Sequence, residues 1–103
     1  MQPDVRETFL GERYWPGVRR ADVATADEQL RRCAGELTRD GIPIRAMGSI
    51  SVPADEVVLT LFEASEEDDV IAVSSRSGYP FDRMQRVEVA TRTEWRSGSG
   101  EHA

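Results

Sequence analysis

The chain has 103 residues, 31% of them charged, and its 19 acids against 13 basic residues give a formal charge of −6. That length allows one small domain, and the 39% apolar fraction suits a folded globule, not a disordered chain. The acidic balance argues against general nucleic-acid binding, which needs a basic stripe, and no apolar run approaches the length of a membrane span. Every basic residue is Arg, a pattern ascribed to a GC-rich genome. A single cysteine, Cys33, permits no intramolecular disulfide, and no apolar leader opens the chain, so a cytoplasmic protein is expected.

Residues 1–6 are polar and expected to fray. Residues 8–14 read as a first strand, with Leu10, Glu12 and Tyr14 on one side and Phe9, Gly11 and Arg13 on the other. Trp15-Pro16-Gly17 calls for a turn. Over residues 21–39 the period becomes 3.6: Val23, Ala26, Leu30, Cys33, Ala34 and Leu37 form one stripe, with Asp27, Glu28, Arg31, Arg32 and Glu36 opposite. Gly41 after Asp40 stands where a helix ends.

Residues 41–65 are the organising stretch. Ile42, Ile44, Ala46, Gly48, Ile50 and Val52 keep one parity, and Arg45, Met47, Ser49 and Ser51 the other. After Pro53-Ala54-Asp55, the run Val57-Val58-Leu59-Thr60-Leu61-Phe62 is apolar enough for burial on both faces, as for a central strand beside an edge strand. Ser65 then reads as the cap of a second helix, with Glu66, Glu67 and Asp68 favourably placed in its first turn. That helix is predicted to reach about Arg76 on a thin apolar face of Val70, Ile71 and Val73. Gly78-Tyr79-Pro80-Phe81-Asp82 breaks it, and residues 84–92 alternate as a last strand, with Val87 and Val89 opposed to Arg86 and Glu88. Residues 1–95 are thus read as one domain, and 96–103, rich in Ser and Gly, as a flexible tail.

The order β-α-β-β-α-β predicts an α+β, ferredoxin-like sandwich: four antiparallel strands with both helices on one face. The other sheet face has no cover within the chain, so a homodimer packed sheet to sheet is expected, of the dimeric α/β-barrel type, with a cleft in each subunit.

The residues able to carry chemistry are few. Cys33 lies on the apolar stripe and reads as core. His102 follows Ser-Gly-Ser-Gly near the terminus and is expected to have no fixed geometry for acid–base work. The acids at 66–69 are explained by a helix first turn and lack a calcium-loop spacing. No Ser/His/Asp set, phosphate loop or dinucleotide fingerprint is present. If Phe9, Ile44 and Val87 face the helices, then Glu12, Tyr14, Arg45, Ser49 and Glu88 emerge on the uncovered face beside Met47 and Thr60. Glu12, Tyr14, Arg45, Met47, Ser49 and Thr60 are therefore the candidate ligand-binding residues, and Glu12, Tyr14, Arg45 and Glu88 the candidate catalytic ones. An ion pair of Glu12 with Arg45 in a plain interface is the competing reading. Residues 78–81 read as a connection with aromatic anchors, or as a lid over the cleft.

Glu12 to Gly17, Glu-Arg-Tyr-Trp-Pro-Gly, resembles the ERYLPG opening of a family of small bacterial proteins known as a domain of unknown function. Arg45-Ala-Met-Gly-Ser is similar to its R-x-x-G-S segment, Leu61-Phe-Glu-Ala to its LFEA segment, and Ser77-Gly-Tyr-Pro-Phe-Asp-Arg-Met to its AGLPxDRI segment. These matches run in order over about residues 9–90. The resemblance implies a ferredoxin-like dimer and nickel binding. Gly11 departs from an expected apolar residue, and Arg19-Arg20 from the usual cap-and-Pro opening of the first helix. With no His before His102, a nickel site would draw on carboxylates, backbone groups, Cys33 or the tail imidazole.

Three functions follow as expectations. The first is a dimeric binding protein whose sheet-face cleft holds a metal ion or a small molecule. The second is a cofactor-independent enzyme, of isomerase, cyclase or monooxygenase type, acting on a small apolar or aromatic substrate. The third is a structural or regulatory partner domain.

Overall fold

A computed structural model of the chain describes residues 6–90. Its elements are β1 (Glu7–Tyr14), α1 (Arg20–Arg39), β2 (Ile44–Val52), a 3₁₀ turn (Pro53–Asp55), β3 (Val57–Ala64), α2 (Glu67–Ser77) and β4 (Arg83–Val87). The sheet order is β2-β3-β1-β4 with every neighbouring pair antiparallel. This is the ferredoxin-like α+β arrangement.

The core lies between the sheet and the helices. Phe9, Ile44, Ala46, Val58, Phe62 and Ala64 are buried on the sheet's covered face. Against them α1 buries the stripe that its period requires: Ala26, Leu30, Cys33, Ala34 and Leu37. Leu30 is fully buried, so Leu30→Ala would cost about 2–5 kcal/mol. Cys33 is a core residue. From α2 only Val70 and Val73 are buried; Ile71 is about half exposed.

Neither helix start carries a side-chain cap of Ser or Thr, and the predicted cap Ser65 lies one residue before the observed one. At α1 the Asp22 carboxylate accepts from the Arg19 backbone N–H at 2.9 Å, half of a capping box without a Ser or Thr cap. At α2 the cap position is Glu66, one residue after Ser65, and no side chain caps it; Glu67, Asp68 and Asp69 supply the first-turn charge instead. Gly78, with φ of 71°, closes α2 in the left-handed region that a helix end favours.

Two registers correct the facing read from the alternation. On β2, Ala46 pairs with Phe62 but Gly48 pairs with Leu61, leaving Met47 as an extra residue. This β-bulge, at a glycine with φ of 155°, reverses the parity of all that follows. Ile44 and Ala46 face the helices, whereas Ser49 and Ser51 take over that side and Gly48, Ile50 and Val52 turn to the open face. On β4, Phe9 pairs with Arg86 and Thr8 with Val87, so Val87, not Arg86, is on the open face. β3 buries Val58, Thr60, Phe62 and Ala64 fully and leaves the alternate residues half-buried, so its apolar run is buried on one face only. β4 ends at Val87; residues 91 and 92, Trp95 and the tail with His102 lie outside the described residues.

Gly11 is explained by packing. A Cβ there would sit 2.6 Å from the Phe81 ring, which stacks edge-on against Phe62 at 5.8 Å between centroids. Residues 78–81 are thus an anchored connection: Tyr79 is buried and Phe81 fills the hollow above Gly11.

Candidate functional site

The candidate residues do not form one site; the structure distributes them over two faces. On the open face, the register forms cross-strand rows: Arg45, Glu63, Thr8 and Val87; then Gly48, Leu61, Leu10 and Gln85; then Ile50, Leu59, Glu12 and Arg83. Glu12, Tyr14 and Arg45 do lie on this face. Arg45, however, pairs with its row neighbour Glu63 at 2.9 Å, while Glu12 accepts from the Gln85 amide at 3.2 Å. The Glu12–Arg45 pair is absent within the protomer because the two residues occupy different rows. Tyr14 donates to the Glu56 carboxylate at 3.2 Å, and that charge raises the phenol's pKa above its ordinary value. Glu88 extends past the end of β4 on the side of Arg86, 3.9 Å from its guanidinium and apart from Glu12. Between its polar groups this face is apolar: Leu10, Leu59, Leu61 and Val52 are half-buried, and Ile50 is 53% exposed.

Ser49 and Thr60 belong to the opposite face, under α1. Thr60 is fully buried, and its hydroxyl lies 2.9 Å from that of Ser49. Ser49 donates to Asp27 Oδ1 at 2.7 Å, and the other oxygen of Asp27 accepts from Arg31 Nε at 2.8 Å. Since the single Ser49 proton is engaged with the carboxylate, the Thr60 hydroxyl is the donor to Ser49. The result is a directed chain, Thr60 to Ser49 to Asp27, with Arg31 fixing the carboxylate. It opens into a groove of about 560 Å³ between α1 and the edge strand β2, walled by Val18, Val23 and Pro53, with Arg20, Ser51 and Gly48 around it. By helical period Asp27 stands opposite the apolar stripe, yet its carboxylate turns toward Ser49. Its position, next to Ala26 and four residues after Val23, is the flank of the apolar stripe, and that is the only sequence signal for its inward turn.

A third cluster was not singled out from sequence. Arg13, at the covered side of the β1 end, holds its guanidinium carbon 4.1 Å from the Trp15 ring centroid and 4.5 Å from that of Tyr79. The two rings meet edge to face at 5.8 Å. Tyr79 is only 6% exposed, and its hydroxyl has no hydrogen-bond partner. Burial raises its pKa, an effect that the Arg13 charge opposes. The Trp15-Pro16-Gly17 and Gly78-Tyr79-Pro80 turns bring this cluster together, and turn residues carry no face periodicity from which to foresee it.

Among the described residues, no group of three or more His, Cys, Asp or Glu side chains is placed to hold a metal ion. No described helix is long and apolar enough to cross a membrane.

No protein-family model matches the chain. No curated protein matches it either. Among solved structures, it is similar to that described as "Crystal structure analysis of SCO4226 from Streptomyces coelicolor A3(2)", with a TM-score of 0.66 and 18% identity. The match covers 82% of this chain and 99% of that one, a likeness of fold.

Proposed function

We propose that the chain is a small ligand-binding protein that acts as a homodimer, with a second copy covering the open sheet face. The α1–β2 groove of each protomer then holds a small organic molecule. The observation that carries this reading is the Thr60–Ser49–Asp27–Arg31 chain at the groove. Fixed donors and acceptors beside apolar walls, in a volume of about 560 Å³, suit a molecule with a hydrogen-bonding head and an apolar body. The dimer is supported by the half-buried apolar rows of the open face, bounded by charged residues of both signs.

Nickel rests on the family resemblance, since the described side chains offer it no ligand group. The enzyme alternative draws on Glu12, Tyr14 and Arg45 of the open face and on Glu88, and an activity lost in Glu12→Gln would support it.

Native mass spectrometry of the full chain, isolated without chelator and offered nickel, cobalt and zinc in turn, tests oligomer and metal together. A metal-free dimer is expected; a stoichiometric nickel adduct would replace the organic-ligand reading, and a monomer would remove the dimer. A fragment screen by NMR tests the groove. Binders that perturb Ser49 and Arg31 and are lost in Ser49→Ala are expected, and a screen without such binders would overturn the groove assignment.

A further inference from the structure

We infer that the Arg13–Trp15–Tyr79 cluster is a second, separate binding site, built for a small monocarboxylate. The cavity beside it, about 310 Å³, lies between the end of β1, the first half of α1 and the C-terminal end of α2. Trp15 and Ala26 offer apolar wall, and Gln29 and Thr25 offer hydrogen-bonding groups.

Two observations point to an anion. First, Arg13 forms no ion pair with any carboxylate of the described residues, in a protein where acids outnumber basic residues by 19 to 13. The aromatic rings hold its planar guanidinium at the cavity wall, beside the Tyr79 hydroxyl; a carboxylate matches such a fork with two parallel hydrogen bonds. Second, the Tyr79 hydroxyl is a buried donor with no acceptor, and a carboxylate offers nothing but acceptors. The Tyr79 ring is held from its backbone: Ser74 Oγ donates to the Tyr79 carbonyl at 2.6 Å, and the Tyr79 N–H donates to the Ser74 carbonyl at 3.2 Å.

The charge of the ligand follows from its surroundings. Asp22 lies on the cavity wall. A carboxylate on the wall disfavours a dianion such as phosphate, while the single charge of a monocarboxylate is balanced by Arg13. The apolar body of the ligand then packs on Trp15 and Ala26.

The test is an NMR titration of the isotopically labelled full chain with sodium benzoate and, separately, inorganic phosphate, with sodium chloride as the ionic-strength control. Saturable shifts at Arg13 Nε–H, the Trp15 indole N–H and the Gln29 side-chain amide are expected with benzoate and not with phosphate. Arg13→Gln should abolish them, and Tyr79→Phe should weaken binding by about tenfold or more, the loss expected for a hydrogen bond to a charged group. Gln29→Ala, an exposed change on α1, reads the site without touching the core and should weaken binding by a smaller factor. Non-saturating shifts, or unchanged affinity in both Tyr79→Phe and Gln29→Ala, would overturn the proposal. Tighter binding of phosphate would overturn the ligand class, and benzoate shifts confined to Ser49 and Arg31 would move binding to the α1–β2 groove and leave this site without support.

Discussion

Gly11 has no side chain because Phe81 occupies the place where one would go. A Cβ at Gly11 would meet Phe81 Cδ1 at 2.6 Å and Cε1 at 2.7 Å, closer than packed carbon atoms approach. Gly11→Ala is therefore expected to destabilise the fold by about 1–3 kcal/mol in urea unfolding, and by clearly less when Phe81 is already Leu. Tyr79 makes the opposite prediction. Its hydroxyl is buried without a partner, so Tyr79→Phe should leave the ligand-free protein more stable by about 1 kcal/mol, even though it weakens carboxylate binding. Its pH dependence has a definite sign. The folded-state pKa is raised above the ordinary 10.0 by burial, so the folded protein retains the phenol proton more strongly than the unfolded chain. Stability is unaffected by this group below pH 10.0 and falls as pH rises toward the raised value. The alkaline loss should be smaller in Tyr79→Phe. The chain has two tyrosines and the pKa of Tyr14 is also raised, so Tyr14→Phe separates the two contributions in a phenolate titration.

At the scale of elements, α1 shows how a helix start is held without a Ser or Thr cap. The Asp22 carboxylate is kept below its ordinary pKa of 3.8 first by the Arg19 backbone N–H and then by the Arg19 side chain. A depressed carboxylate stabilises the fold above its ordinary pKa, and the contribution is lost as pH falls through the lowered value. The advantage of wild type over Asp22→Asn should hold near neutrality and vanish in acid below pH 3.8, measured by thermal unfolding across pH. In β2 the decisive element is the bulge. Gly48 adopts φ of 155°, which L side chains rarely take, so Gly48→Ala should cost about 1 kcal/mol or more and disturb the amide shifts of Ser49 and Ser51 above all others. The existence of this strand was legible in its alternation. The bulge was not, because a single extra residue leaves the apolar count unchanged while moving Ser49 from one face to the other. The same residue relocated the candidate site from the open face to the α1–β2 groove.

For the molecule as a whole, both helices cover one side of a four-stranded sheet, and the other side presents Leu10, Leu59, Leu61 and Ile50 between charged edges. Ile50 is more than half exposed in the protomer, so Ile50→Glu should change protomer stability by no more than about 0.5 kcal/mol. In a sheet-to-sheet dimer it buries an unpaired charge and should drive dissociation, read by sedimentation velocity across concentration. Unaltered sedimentation would mean that this face is not the interface.

The amino-acid sequence by itself determined the elements and the buried stripe of α1. The 3.6-residue stripe of α1 reports burial directly, and together with the apolar run of β3 and the breaks marked by Gly and Pro it yields the β-α-β-β-α-β order. Cys33 as core follows from the same stripe. Only the tertiary structure decided which polar residues meet. Arg45 with Glu63 depends on a cross-strand register, Ser49 with Asp27 on a bulge together with a helix docked over it, and Arg13 with Trp15 and Tyr79 on two turns closing at one end of the sheet. Such pairings are long-range and rest on a few ångströms of register or packing, which the period of a single element does not encode.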